Sequence, residues 1–265
     1  MGTVRTITVT ELTSSLDAHV SRHGLERCAI ATDGDGTLWS GDIGEDFFEA
    51  LLREGRVSDV ARAPLAREAE AEGIDATGDA VAIAQRIHAA YHAGTFPEER
   101  VCEIMTWAFA GWSRVELDRF AASVIEAVGL RARLHGEALR VIAWARERGV
   151  MTCLVSASPR AIVEAAARLV GIDLAHVTSA TELCDDGGVV RAACDLPIPY
   201  GEGKVTRLRA IVGERALVAA FGDNAFDVAM LSQAAVPVAI RPKPRLLARA
   251  GEVPDLVVLE RVTSA

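Results

Sequence analysis

Four short apolar runs, each bounded by Gly, Pro or polar residues, restrict the fold of this chain more than any other feature. They are Cys28-Ala-Ile-Ala-Thr32, Val150–Val155, Leu217–Phe221 and Ala235–Ile240. Runs of this length, partly β-branched and closed by turn formers, read as buried strands. Between and after them, Glu137–Arg148, Pro159–Leu169, Lys204–Ile211 and Ala225–Leu231 repeat apolar residues at spacings of three and four, with Gly149 and Gly171 placed as C-terminal caps. Strands alternating with helices predict an α/β fold, a parallel sheet covered on both faces. Ligands in such sheets sit at the carboxyl ends of the strands. The polar clusters Asp33/Asp35, Ser156/Ser158 and Asp223/Asp227 each follow an apolar run directly.

The stretch from residue 40 to residue 134 breaks this alternation, for it contains no strand-like segment. Glu45–Arg53, Val57–Glu72, Asp79–Ala93, Pro97–Phe109 and Arg114–Val128 all read as helices, separated by Gly55, Gly73/Gly78, Gly94 and Gly111. A crossover between parallel strands needs only about a dozen residues. The excess predicts an inserted all-helical domain at 40–134, placed over the strand ends, with the core built from 1–39 and 135–265. Thr181–Arg191 reads as a hairpin turning at Asp186-Gly187.

No part of the chain has the uninterrupted apolar length a bilayer requires. The first 25 residues carry Arg5, Glu11, Asp17, Arg22 and His23, unlike a secretory signal, so a soluble cytoplasmic protein is expected. The five cysteines, Cys28, Cys102, Cys153, Cys184 and Cys194, are scattered without CxxC spacing, which indicates reduced thiols rather than a disulfide framework or a zinc site. A net charge of −9 argues against nucleic acid as a partner. Lysine occurs only at 204 and 243, which draws attention to Lys204 beside the turn Gly201-Glu-Gly203.

Asp33 and Asp35 stand two apart at a strand end, so in extended geometry both side chains lean one way. Alone, Asp-Gly-Asp-Gly reads equally as a catalytic pair, a calcium-loop fragment or an ordinary turn. Asp223 and Asp227 share a face if a helix begins near Asn224, and alone fit an N-cap with a first-turn acid. If both pairs meet, the repulsion is large: like charges about 4 Å apart cost about 4 kcal/mol at an effective dielectric of about 20. A divalent cation and Lys204 would relieve it, and hard oxygen donors suit Mg²⁺. Ser156 offers a hydroxyl near a helix N-terminus, a place that binds phosphate. Ser158, before Pro159, is placed to cap that helix.

Taken in order, Asp33-Gly-Asp-Gly-Thr-Leu38, Val155-Ser156, Gly203-Lys204 and Gly222-Asp-Asn-Ala-Phe-Asp227 resemble the four motifs of the haloacid dehalogenase-like (HAD) phosphohydrolase superfamily. The match spans nearly the whole chain. The helical insert is similar to the cap of the branch that contains phosphoserine phosphatase. The resemblance implies a Rossmann-like core, a helical cap, and Mg²⁺-dependent hydrolysis of a small phosphomonoester through an aspartyl-phosphate on Asp33. It makes Asp35 the acid that protonates the leaving alcohol and then activates water. Mg²⁺ would lie on Asp33, the backbone carbonyl of Asp35 and Asp223, with Asp227 behind, orienting water or Lys204. Ser156, the Ala157 N–H and Lys204 would hold the phosphoryl oxygens. Gly34 departs from the pattern, where an apolar residue is usual.

Phosphoserine phosphatases use a cap arginine for the substrate carboxylate; aligned from Gly94, that place holds Met105, with Arg100 the nearest base. Phosphorylcholine phosphatases of the same branch carry acids matching Asp42 and Glu45 and a segment similar to Trp107–Trp112. Those acids, with Trp39, Trp107 and Trp112, suit an amine or quaternary ammonium head group. The same tryptophans also fit ordinary packing, and Asp42 and Glu45 a helix start. A phosphoserine phosphatase and a phosphomutase or phosphotransferase remain alternatives with the same four motifs.

Overall fold

The computed structural model describes residues 4–262. Residues 1–3 and 263–265, the outer ends of the two expected core segments, lie outside the described residues. The strands are β1 (Arg5–Ile7), β2 (Cys28–Thr32), β3 (Met151–Pro159), β4 (Val177–Ala180), β5 (Glu182–Cys184), β6 (Val190–Cys194), β7 (Ala216–Gly222), β8 (Val236–Ile240) and β9 (Val257–Leu259). Seven form one sheet in the order β1-β9-β8-β7-β2-β3-β4, with every neighbouring pair parallel. β5 and β6 pair separately as an antiparallel hairpin.

All five residues of β2 are buried, as a strand covered on both faces requires. Cys28 and Ile30 face one hydrophobic cluster while Ala29 and Ala31 face the other, the alternation of a strand. From β2 the sheet grows to one side through β3 and β4 and to the other through β7, β8 and β9. The carboxyl end of β2 is therefore the switch point where such sheets open a crevice.

The first helix, α1 (Val9–His23), starts with a reciprocal Thr8/Glu11 capping box and buries Leu12, Leu16 and Val20 at four-residue spacing. The insert carries α2 (Ile43–Arg53), α3 (Arg62–Ala71), α4 (Ala80–His92), α5 (Glu98–Trp107), α6 (Arg114–Ala127) and the short α7 (Leu130–Arg133), with no strand among them. The remaining helices are α8 (Gly136–Arg148), α9 (Arg160–Val170), α10 (Glu202–Val212), α11 (Val228–Leu231) and α12 (Pro244–Ala248). Gly149 and Gly171 close α8 and α9 in the left-handed conformation, at φ 69° and 73°. None of the described helices is long and apolar enough to cross a membrane.

The insert leaves and rejoins the core at one point. Ser40 N–H donates to Arg133 O and His135 N–H to Leu38 O, both at 2.9 Å. It is joined to the core again at the hairpin, where Gly111 donates to Val190 O at 2.9 Å and Val190 to Trp112 O at 2.8 Å. Phe47, Phe109 and Phe120 of the insert share one hydrophobic cluster with α1, α8, α9 and that face of the sheet. On the opposite face α10, α11 and α12 supply Leu208, Val212, Met230, Leu231 and Leu246.

Three strands escape the sequence pattern: β1 and β9, of three residues each, and β4, of four. They are too short for a period to register. β3 runs on past its expected end at Val155 to Pro159, because its pairing with β4 shifts register between Ser156 and Pro159.

Candidate active site

Asp33 follows β2, and its N–H still donates to Phe221 O of β7 at 2.9 Å, so the carboxylate emerges at the seam between the two central strands. Oδ2 accepts from the Thr37 hydroxyl at 3.0 Å and Oδ1 from Lys204 Nζ at 2.6 Å. Lys204 arrives from the first turn of α10, fully buried, and donates also to Asp227 Oδ1 at 2.5 Å. A buried ammonium is tolerable only when paired. Burial acts to lower its pKa, and the carboxylates of Asp227 and Asp33 outweigh that and leave it raised. For Asp33 burial dominates: it holds the carboxyl well above the usual range against the pull of Lys204, with Asp227, Asp223 and Asp35 adding to the rise.

Asp223 and Asp227 lie just beyond β7. Asp227 Oδ2 accepts from the N–H groups of Asp223 (3.0 Å) and Asn224 (2.9 Å), so with Lys204 both its oxygens are engaged. Asp223 Oδ2 pairs with Lys243 Nζ at 2.9 Å, while its Oδ1 is buried with no hydrogen-bond partner among the described residues. Burial first, then Asp227, push its pKa up to about 6 against Lys243. Gly36, at φ +81°, lets the first loop touch this carboxylate: a Cβ there would lie 2.1 Å from Asp223 Oδ2.

These residues fit a hard divalent cation. One oxygen each of Asp33, Asp223 and Asp227 lies within 4.8 Å of the others. Asp33, Asp35, Asp223 and Asp227 outnumber the ammonium groups of Lys204 and Lys243, and the donors are all oxygen. The partnerless Asp223 Oδ1 is a buried acceptor with capacity to spare. Asp227, with both oxygens engaged, is better suited to fixing Lys204 and the Asp223 backbone than to binding a metal.

The Asp35 carboxylate is held by three donors. Oδ1 accepts from Trp39 Nε1 and from Ile43 N–H, and Oδ2 from the Ser158 hydroxyl, each at 2.7 Å. Trp39 explains the unusual Gly34: its ring occupies the space of a side chain at 34, where a Cβ would sit 2.8 Å from the indole. Ser158 does not cap α9 as its position suggested; that helix has no side-chain cap, and the hydroxyl is turned to Asp35 instead. Ser156 is buried, its Oγ accepting from Ser158 N–H at 3.1 Å, and Ala157 lies between them in the irregular stretch of β3. Strand irregularities beside active sites commonly re-aim side chains in this way.

Asp42 caps α2, accepting from Glu45 N–H at 2.9 Å, and its carboxyl is raised by burial and then by Asp35. Three further groups share the field of Glu98. Tyr91 of α4 is raised by burial and by the charges of Glu45, Glu98 and Asp42. Cys102 of α5 is raised by burial, then by Asp42, Glu98, Asp35 and Glu45. Tyr200 is raised by burial and by Glu98. A cleft of about 550 Å³, lined by Glu98, Tyr200, Asn224, Phe226 and Arg245, reaches the neighbour of Asp223 but not Asp33, which is 3% exposed.

The tryptophans are placed differently from one another. Trp39 is wholly buried with its N–H on Asp35, and Trp107 is buried in α5. Trp112 packs edge-on to Phe109 and tilted to Phe120, with the Arg56 guanidinium 4.0 Å over its ring. Its cation–π capacity is thus already used within the insert. Ser158, Lys243, Tyr91, Glu98 and Tyr200 are site groups that the motifs did not mark. Of these, Lys243 carried a signal as one of the two lysines, and Ser158 as a polar residue at a strand end whose role was read as a helix cap.

Fold and site together define an α/β enzyme with an acidic centre at its strand ends. The chain belongs to the haloacid dehalogenase-like hydrolase family, which its sequence matches over residues 30–232. No curated protein sequence is significantly similar to it. Among solved structures it resembles a protein of unknown function from Bordetella pertussis Tohama I (23% identity, 88% of this chain and 98% of that one, TM-score 0.68). It also resembles a conserved protein of unknown function from Anaerococcus prevotii DSM 20548 (15% identity, 100% and 99%, TM-score 0.66). A phosphoserine phosphatase in apo form shares the fold at 15% identity, 89% of this chain and 94% of that one, TM-score 0.53.

Proposed function

We propose that this chain is a Mg²⁺-dependent phosphomonoester hydrolase that works through an aspartyl-phosphate on Asp33 and accepts a small ester with an amine or quaternary ammonium head. The observation that carries the reading is the buried contact of Asp33 with Lys204 beside the partnerless oxygen of Asp223.

Asp33 and Asp223, with the backbone carbonyl of Asp35, would hold Mg²⁺, which supplies charge shielding so that an anionic phosphate can meet a carboxylate. An Asp33 oxygen attacks phosphorus, the bond from phosphorus to the ester oxygen breaks, and Asp35 delivers a proton to the departing alkoxide. Asp35 then takes a proton from water, whose oxygen attacks the phosphorus; the Asp33–phosphate bond breaks and inorganic phosphate leaves. Lys204, already hydrogen-bonded to Asp33, together with Ser156 and the Ala157 N–H, holds the phosphoryl oxygens as charge shifts. Asp227 keeps the Lys204 ammonium in place.

The head-group reading rests on charge. Glu45, Glu98 and Asp42 act on Tyr91, Glu98 acts on Tyr200, and Asp35 acts on Asp42, so these acidic and aromatic groups lie within one another's electrostatic reach. Arg100, the nearest cap base, is engaged by Glu68 and Glu103 and so is not free to take the carboxylate of phosphoserine. We read residues 40–134 as a cap domain that supplies the acids and Tyr91, with Tyr200 coming from the core. All five cysteines are unpaired, which suits a reducing cytoplasm.

A screen of phosphomonoesters with Mg²⁺, including phosphorylcholine, phosphoethanolamine, phosphoserine and sugar phosphates, tests both parts. Turnover of the amine-bearing esters is expected, and Asp33→Asn should abolish it. Inorganic phosphate release by Asp33→Asn at the wild-type rate would end the proposal. Transfer of labelled phosphate to added alcohols instead of water would turn the reading toward a phosphotransferase.

A further inference from the structure

We infer a second metal site, formed by Glu49, His88 and His92 on the helical insert, for a transition ion of the zinc class. It is separate from the aspartate centre and does not depend on the proposed reaction. His88 and His92 are four residues apart on α4 and so share one face of the helix. Their Nε2 atoms lie 3.0 Å apart. Two imidazole nitrogens on one tetrahedral zinc, each about 2.0–2.1 Å from the ion, stand roughly 3.3 Å apart. Glu49, on the facing helix α2, brings a carboxylate oxygen within 4.8 Å of both nitrogens.

A shared N–H···N hydrogen bond accounts for the pairing of the two rings, and the Glu49 carboxylate within 4.8 Å adds a third donor to them. His88 is pre-set, 8% exposed with its ring edge-on to Phe48 at 5.4 Å. Glu49 and His92 are exposed, so the ion has a way in and the long carboxylate side chain can close the remaining distance. Two imidazoles and one carboxylate, with water in the fourth position, suit zinc; imidazole selects zinc, nickel or copper over magnesium.

The position gives such an ion a structural lever on the acidic pocket. It would tie α2 to α4. α2 opens with Ile43, whose N–H holds Asp35, and Tyr91, next to His92, lies within the field of Glu45.

The test uses the whole, tag-free chain in saturating Mg²⁺, so that the aspartate centre is occupied, titrated with Zn²⁺ by calorimetry and with Co²⁺ by visible absorption. One ion per chain is expected, with the absorption bands of four-coordinate Co²⁺ and a rise in melting temperature. Exposed His92→Ala should weaken binding at least about tenfold and remove the rise, and Glu49→Gln should weaken it as well. Equal Zn²⁺ affinity in wild type and His92→Ala, or no Zn²⁺ binding by the wild type, overturns the proposal.

Discussion

The Ser158 hydroxyl donates to Asp35 Oδ2 across 2.7 Å, joining two strand ends that lie 123 residues apart in the chain. With the Trp39 indole and the Ile43 N–H on the other oxygen, the carboxylate cannot rotate without giving up a hydrogen bond to a charged group. Each such bond is worth about 1.5–3 kcal/mol. In the proposed mechanism Asp35 gives a proton and then takes one, and a group with both tasks gains from being fixed in one orientation.

Ser158→Ala should therefore lower kcat by about tenfold or more while leaving KM nearly unchanged. Steady-state kinetics on one alkyl ester and one aryl phosphate reads the effect. The loss should be larger for the alkyl ester, whose leaving oxygen needs the proton more.

Lys204→Met removes the ammonium between Asp33 and Asp227 and leaves two buried carboxylates facing each other. Breaking a buried pair on one side costs about 3–5 kcal/mol. Urea denaturation without metal should show a loss of that order. Mg²⁺ should restore part of the stability and none of the activity.

Gly34→Val drives a side chain into the Trp39 indole, which is wholly buried and has no room to retreat. Overpacking of this kind costs about 1–3 kcal/mol. The melting temperature should fall, and kcat should fall with it because the displaced indole releases Asp35.

Asp223 sets a pH dependence in the metal-free protein. Its folded pKa, raised to about 6 by burial first, lies above that of an unfolded aspartate, about 3.9. The folded state therefore holds the proton more tightly, so this contribution to stability is complete below the unfolded value and is lost as pH rises through about 6. Thermal melts between pH 4 and pH 7 should show this decline, and Asp223→Asn should flatten it. Mg²⁺ needs the ionised form, so its affinity should increase across the same interval.

Much of this arrangement is legible in the sequence, because local chemistry decided it. β2 begins and ends at the residues its apolar run predicts, and Lys204 stands out in a chain with two lysines. The spacing also anticipates that Asp33, Asp35, Asp223 and Asp227 gather at the strand ends. What is hidden depends on contacts between distant segments. Ser158 reads as a cap until β3 is seen to bulge, and only the packed insert brings Tyr91 toward Asp42 and Glu98 toward Tyr200. Trp112 reads as a cation binder, and it is one, for Arg56 of its own chain.

Because Ser40 meets Arg133 and Leu38 meets His135, the insert begins and ends at neighbouring points, and its length places no demand on the strands beneath. Asp33, Asp35, Ser156, Lys204, Asp223 and Asp227 all lie outside that excursion, whereas Asp42, Glu45, Tyr91 and Glu98 all lie within it. On the proposed reading, the reactive groups and most of the side chains that would choose the substrate fall on different stretches of sequence, with Tyr200 the exception on the core side. Under that reading, drift or recombination within residues 40–134 would redirect the choice of substrate while leaving the proposed reactive groups in place.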